Sequence, residues 1–298
     1  MQTIHLVDAS PYIFRAHFSI PSSVKSPTGQ RVGATYGFAS FLLKLVADER
    51  PTHLGVAFDR NLNSSFRNEI YPEYKAQREA PPQEILDQID TCLETAAALG
   101  AATFIDDRYE ADDLIATLCA PLTRNGHRVV IVTSDKDLAQ LVSDQVTLLD
   151  FAKETRYTPE AVREKFGVRP DQVVDLLALA GDPVDNIPGV PGIGRKTAAE
   201  LLAAFDSVES LYQRLDELRL SRLRGARTLV TKLAEARDLA FLSKELATVA
   251  HDAPVRAGLR ELAWHGADPQ AVEALFGRLG FKGIRERITD WRGSASAS

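Results

Sequence analysis

The chain has 298 residues, 45% of them hydrophobic, enough for one large α/β domain or two smaller ones and well above the disordered range. Its 35 basic and 41 acidic residues leave a formal charge of −6, which argues at first against a polyanionic partner. No apolar run approaches the ~18–20 residues of a membrane span, and MQTIHLVDAS lacks the basic and apolar regions of a secretory signal. Membrane partners are therefore not expected, and a cytoplasmic location is. Cys92 and Cys119 form no CxxC pair and read as two reduced, buried thiols.

In chain order, a strand over 3–8 ends at Asp8 and a helix is expected over 33–48. A second strand, 53–59, ends at Asp59. Residues 60–81 are polar, rich in Arg, Lys, Asn and Tyr, and too long for an ordinary connection. If they are helical, Tyr71, Lys75 and Arg78 share one face at i, i+4 and i+7. A helix over 82–99 and a strand over 101–105 lead to YEADD, which places Glu110, Asp112 and Asp113 at the head of a helix over 110–124. A strand over 128–133 runs into Asp135 and Asp137, and a last strand covers 146–150.

After about residue 158 only short helices follow, over 159–166, 170–180, 195–204, 207–214, 226–235, 235–243 and 268–279, with GSASAS as a disordered tail. Asp182 and Asp185 stand in GDPVD between the second and third of these. Next comes DNIPGVPGIGRKTAAELL, where Gly189, Gly192 and Gly194 permit a tight hairpin before a helix that begins near Arg195. Backbone N–H groups at that helix start, with Arg195 and Lys196, suit a phosphate. RLRGARTLVTKL adds Arg224, Arg227 and Lys232.

Alternating strands and helices predict a mainly parallel sheet with helices on both faces. Ligands of such sheets bind beyond the carboxyl ends of the strands, where Asp8, Asp59 and Asp135 fall. Nine carboxylates thus gather in five separated places, most of them against apolar runs that must be buried. Left alone they would repel one another at a heavy desolvation cost, and divalent cations are the simplest remedy. Mg²⁺ and Mn²⁺ prefer such oxygen ligands. Two ions roughly 3.5–4 Å apart can activate a water and stabilise the leaving oxygen of a phosphodiester. Setting the nine clustered acids aside leaves 35 basic and 32 acidic residues, a balance of +3, and two divalent ions would offset four of the nine charges, so the remaining surface is net basic and a polyanion is readmitted. The six histidines form no HxH or HxxxH pair, so zinc is not expected. Any single acid is explained equally well as a helix cap or a surface charge; the five groups together are not.

VDASPYIFRAHFSI, VAFDRNLNSSFRNEIYPEYKAQR, YEADDLIATL, VTSDKDLAQLV and LALAGDPVDNIPGVPGIGRKTA, in this order and spacing, resemble the 5′-nuclease (flap endonuclease) superfamily. Within it the likeness is strongest to the N-terminal 5′→3′ exonuclease domain of bacterial DNA polymerase I, from residue 3 to about residue 290. The resemblance implies a PIN-like nuclease core over 1–168 with a helical arch at about 60–81. A helical duplex-binding region over 169–298 would contain a helix-three-turn-helix at about 171–245. Asp8, Asp59, Glu110, Asp112 and Asp113 would surround a first metal; Asp135, Asp137, Asp182 and Asp185 would hold a second. Lys75 and Arg78 would act on the scissile phosphate, Tyr74 would stack on the substrate, and Arg15, Gly192, Gly194, Arg195, Lys196, Thr197, Arg224, Arg227 and Lys232 would contact DNA. Main-chain carbonyls of Pro188, Val190 and Ile193 would bind K⁺. The implied substrate is DNA with a 5′ flap, nick or 5′ end, or an RNA primer on DNA, cut by a free-standing monomer with any DNA polymerase a separate protein. VDAS replaces the VDG of many relatives and FDRN their FDA, which puts Arg60 beside Asp59. A non-catalytic factor that binds branched DNA and a PIN-like ribonuclease are the competing readings.

Overall fold

The computed structural model describes residues 1–62 and 64–293. Residues 294–298, nearly all of the expected disordered tail, lie outside the described residues. Six strands form one sheet: β1 (Thr3–Asp8), β2 (Leu54–Asp59), β3 (Ala102–Asp106), β4 (Arg128–Val132), β5 (Val146–Asp150) and β6 (Thr155–Tyr157), in the order β3-β2-β1-β4-β5-β6. The first five are parallel, and β6 returns antiparallel against β5. β6 has too few residues to leave a periodic signal, so the sequence did not announce it.

The helices are α1 (Ser10–Ser19), α2 (Gly33–Glu49), α3 (Arg67–Ile70), α4 (Gln83–Ala98), α5 (Ala111–Arg124), α6 (Pro159–Phe166), α7 (Val173–Ala180), α8 (Arg195–Phe205), α9 (Val208–Gln213), α10 (Leu215–Leu220), α11 (Ala226–Glu235), α12 (Arg237–Ala247), α13 (Leu259–Leu262), α14 (Pro269–Leu279) and α15 (Lys282–Arg285). α1 was not foreseen as a helix, although Pro11 in its first turn suits a helix start.

Alternate side chains of each strand enter two different cores. Ile4, Leu6 and Ile131 face α5 and the C-terminal helices. Val7, Val56 and Phe58 face α1, α2, α4 and α14. Strands buried on both faces read as continuous apolar runs, which is why IHLV, LGVAF and RVVIV stand out in the sequence. The chain builds outward from β1 to β3 on one side and from β4 to β6 on the other. The reversal lies between β1 and β4, and a crevice at the carboxyl end of such a switch point is the usual ligand site.

The loop after α7 is pinned by main chain. Asp182 and Ile187 exchange both N–H···O bonds at 2.9 and 2.8 Å, and the Gly189 N–H donates to Ser243 Oγ on α12 at 2.9 Å. Gly181 and Gly189 both have positive φ, and a Cβ on Gly189 would lie 2.3 Å from the Gly181 nitrogen. No side chain fits there. Gly189→Ala is expected to cost at least about 2 kcal/mol of stability, seen as a lowered urea midpoint. Gly194, by contrast, has φ −94° and needs no glycine on conformational grounds.

Residues 60–81 are not the helix that would align Tyr71, Lys75 and Arg78. One turn, α3, is followed by consecutive turns, and Lys75 takes φ +56°. The segment lacks apolar periodicity, so its shape follows polar ties: Asn68 Nδ2 donates to the Tyr74 carbonyl at 2.8 Å, and the Lys75 N–H to the Asp185 carbonyl at 3.0 Å.

Candidate active site

The ends of β1 and β2 each deliver a carboxylate to the crevice. Asp8, at the end of β1, is buried; Thr133 Oγ1 donates to its Oδ2 at 2.8 Å and the Ser10 N–H to its Oδ1 at 3.3 Å. Asp59, at the end of β2, accepts the Ala111 N–H at 2.7 Å and the Ser10 hydroxyl. Glu110 precedes the first turn of α5, and Asp112 lies within that turn. A cavity of about 280 Å³ opens among Asp8, Asp59, Glu79, Glu110, Asp112, Asp135 and Asp185, with Lys75 and Arg78 on one side and Pro11, Phe14 and Leu62 forming an apolar wall. Seven carboxylates face two cations there.

Residues 73–78 lie across this cavity and latch onto the loop 182–186. Lys75 Nζ donates to Glu110 Oε1 at 2.8 Å and lies 3.8 Å from Asp185. The Arg78 guanidinium pairs with Asp185. Gln77 Nε2 reaches the carbonyls of Pro183 and Val184 at 2.8 and 2.9 Å, and Asn186 Nδ2 the carbonyl of Glu73 at 2.6 Å. Tyr74 is buried and its hydroxyl donates to Asp185 at 3.0 Å, so its ring is not presented for stacking. Proximity of Lys75 and Arg78 to the acids is therefore explicit, even though the helical register expected for them is not formed.

The charge balance is uneven across the cluster. Burial and then the charge of Asp59 push the Asp8 carboxyl well up. Asp112 is pushed well up by burial and by Asp135, Asp8, Asp59 and Glu110, and among the described residues no hydrogen bond reaches its carboxylate. Asp137 is raised well above its ordinary value by burial, Asp135, Asp182 and Asp185. Burial opposes the charge of Glu110 too, but Lys75 and Arg67 outweigh it and hold that carboxyl low.

Groups with raised folded-state pKa favour the protonated form. The stability they allow is present at low pH and lost as pH rises from the ordinary carboxylate range through their raised values. The ion-free protein is thus expected to melt at a higher temperature at pH 5 than at pH 8. Millimolar Mg²⁺ should narrow the gap by stabilising the pH 8 form; a differential scanning fluorimetry series in EDTA and in Mg²⁺ checks both signs.

Asp113 departs from the expected ligand set. Its side chain is wholly buried, both oxygens accept from the Arg67 guanidinium at 2.8 and 2.9 Å, and the N–H groups of Ala250 and Glu110 donate to it at 2.7 and 3.1 Å. Nothing is left over for an ion. Asp137 and Asp182 do not line the cavity: Asp137 N–H donates to Asp135 Oδ1 at 2.9 Å, and Asp182 Oδ2 lies 3.6 Å from Arg195. Among the described residues no group of three or more His, Cys, Asp or Glu is arranged to hold a metal ion. With Lys75 and Arg78 in place, side-chain cations supply part of the neutralisation that the sequence assigned to metals, at Glu110 and Asp185. The donor set still fits a hard divalent ion, being all oxygen, mutually repelling and with Asp112 unpartnered.

Arg60 turns away from Asp59 to Asp90 and Asp107, at 2.6 and 3.7 Å, so the FDRN departure leaves the cluster untouched. Ser10, Thr133 and the Pro11/Phe14/Leu62 wall were missed as site residues, because a hydroxyl that aims a carboxylate has no spacing signature. Arg15 is exposed on α1.

In the C-terminal half, α8 starts at Arg195 after Gly194, with Lys196 exposed and Thr197 half-buried. Lys232 on α11 donates to the Gly192 carbonyl at 3.1 Å, which ties α11 to the hairpin. Arg224 and Arg227 are exposed and, like Lys196, carry no ion pair among the described residues. Val190 and Ile193 are buried, and the Val190 carbonyl already accepts the Ile193 N–H at 3.0 Å. No helix among the described residues is long and apolar enough to cross a membrane.

Comparison with known proteins agrees with this architecture. A family model described as "5′-3′ exonuclease, N-terminal resolvase-like domain" matches residues 3–167, and one described as "5′-3′ exonuclease, C-terminal SAM fold" matches residues 168–270. The chain is 41% identical over 288 residues to DNA polymerase I of Bacillus caldotenax, which covers 95% of this chain but only 32% of that polymerase. It thus spans about a third of that relative's length. The solved structure of T5 5′-exonuclease with bound divalent metal ions (zinc) superposes with a TM-score of 0.70 at 22% identity, covering 93% of this chain and 100% of the other. A bacteriophage T5 flap endonuclease in a pseudo-enzyme–product complex with DNA and metal ions superposes with a TM-score of 0.65 at 23% identity, covering 96% and 99%. At these identities the solved structures speak for the fold.

Proposed function

The chain belongs to the 5′-3′ exonuclease family, and on that premise we propose that it is a structure-selective 5′-nuclease that hydrolyses phosphodiester bonds in branched or nicked DNA. The observation that carries this reading is the acidic cavity at the sheet's switch point with Lys75 and Arg78 across it. Lys196 at the start of α8, with Arg224 and Arg227 before and in α11, is exposed and without an ion pair among the described residues, and supplies basic surface in the C-terminal half.

Asp8, Asp59, Glu110, Asp112, Asp135 and Asp185 would hold the divalent ions, Mg²⁺ or Mn²⁺, with Asp137 and Asp182 in support. Two such ions, when bound, supply an activated water and charge to stabilise the leaving 3′-oxygen. The chain's own residues do the rest. Ser10 and Thr133 aim Asp59 and Asp8. An incoming phosphate competes with Glu110 and Asp185 for Lys75 and Arg78, whose donors then steady the charge that develops on the phosphoryl oxygens. Products carry a 5′-phosphate and a 3′-hydroxyl. Lys196, Arg195, Arg224, Arg227 and the N–H groups at the start of α8 would hold duplex phosphates, Arg15 on α1 would add a further DNA contact, and K⁺ would sit on the carbonyls of Pro188, Val190 and Ile193.

The substrates are DNA with a 5′ flap, nick or 5′ end, with an RNA primer on DNA as a further one. The protein would act as a cytoplasmic monomer in replication or repair. Digesting a 5′-labelled flap, a blunt duplex and a single-stranded RNA in parallel tests the reading. Cutting near the flap junction supports it. Binding without cutting indicates a docking factor, and cutting confined to single-stranded RNA indicates a ribonuclease.

A further inference from the structure

One cation near the site does not face the cavity. Arg67 opens α3, its side chain is 3% exposed, and it donates four hydrogen bonds inward. NH1 and NH2 grip both oxygens of Asp113, while Nε donates to the Leu246 carbonyl at 2.9 Å and NH2 to that of Thr248 at 3.0 Å. The Phe66 ring lies 4.6 Å from the guanidinium carbon. Burial works against its charge, and the bonds and charge of Asp113 outweigh that.

Asp113 in turn accepts the N–H of Ala250, beyond the end of α12, and that of Glu110. One buried ion pair therefore ties three pieces together: the entry to the segment that carries Lys75 and Arg78, the first turn of α5, and the exit of α12. α12 also packs on α7, and its Ser243 holds the glycine turn behind Asp182 and Asp185. The knot lies where the C-terminal helical half meets the first turn of α5, so a shift of either is felt by the other.

We propose that Arg67 is a positioning residue that holds Glu110 and Asp112 in the cavity and couples their placement to the C-terminal helical region. This rests on the nuclease reading for its consequence in catalysis, but the placement of the two carboxylates can be measured without DNA.

The test uses the full chain with Arg67→Met and with Arg67→Met/Asp113→Leu. The single change leaves a buried carboxylate unpaired and should lower Tm. The double change replaces the pair with apolar groups, which commonly restores stability. Three quantities are compared well below each Tm: kcat and KM on a double-flap DNA, and Mn²⁺ affinity by electron paramagnetic resonance without DNA. We expect kcat to fall about 10- to 100-fold in both variants, the usual scale for groups that support metal ligands. KM should move by less than about threefold, and Mn²⁺ affinity should weaken about tenfold. A double variant that cleaves and binds Mn²⁺ within about threefold of the parent overturns the proposal, since the pair would then be structural only. If the parent itself fails to cut, the nuclease reading falls while the Mn²⁺ titration still decides for or against Arg67.

Discussion

Asp112→Asn is expected to raise the melting temperature of the ion-free protein and to abolish most cleavage. Asp112 is the carboxylate least provided for: four acids raise its pKa after burial does, and among the described residues no hydrogen bond reaches its carboxylate. An amide keeps the shape and removes the charge. The gain should be roughly 2–4 °C in EDTA at pH 8, the scale of about 1 kcal/mol in a chain of this size. It should shrink at pH 5, where the parent carboxyl is closer to neutral. Cleavage in Mg²⁺ should fall on the order of 10²- to 10³-fold, as when one preorganised electrostatic group is removed. Opposite signs for stability and activity are the mark of a group strained in order to work. A variant less stable than the parent in EDTA would show that the cluster is not self-repelling.

Lys75→Ala should also lose cleavage on the order of 10²- to 10³-fold, but with the opposite effect on stability. Burial disfavours the ammonium, yet Glu110 and Asp185 hold its pKa above the ordinary value, so it is cationic throughout the working range. Its removal leaves Glu110, now held low chiefly by Lys75, with Arg67 at 3.7 Å as the remaining ion-pair partner among the described residues. Breaking one partner of a buried pair costs about 3–5 kcal/mol, so Tm in EDTA should drop by several degrees. Mg²⁺ should recover part of that loss, because a divalent ion can replace the missing charge on Glu110. Two variants equally poor at cutting, with Tm displaced in opposite directions, would locate the repulsion at Asp112 and the compensation at Lys75.

The strands and the acids at their ends were legible because buried parallel strands are uninterrupted apolar runs, and a carboxylate after such a run is conspicuous. Asp8 and Asp59 could be placed at one edge from that alone. The shape of 60–81 was not legible: with little apolar periodicity, its path is set by contacts more than a hundred residues away, such as Arg78 to Asp185. Asp113 shows the limit of motif reading. It sits beside Asp112 with the same chemistry, but successive residues of a helix point about 100° apart. One faces the cavity and the other faces Arg67. Nothing in YEADD says which is which. Ser10 escaped for a different reason, since its role depends on the turn after β1 bringing its hydroxyl to Asp59 on the neighbouring strand.

The most direct test of a divalent-ion-dependent nuclease at this cavity is incubation of the purified chain with a 5′-labelled double-flap DNA in Mg²⁺ and, separately, in EDTA. Release of the flap near the junction in Mg²⁺, with none in EDTA, is the result the structure predicts. Equal cutting in both, or tight binding with no cutting in either Mg²⁺ or Mn²⁺, would contradict it.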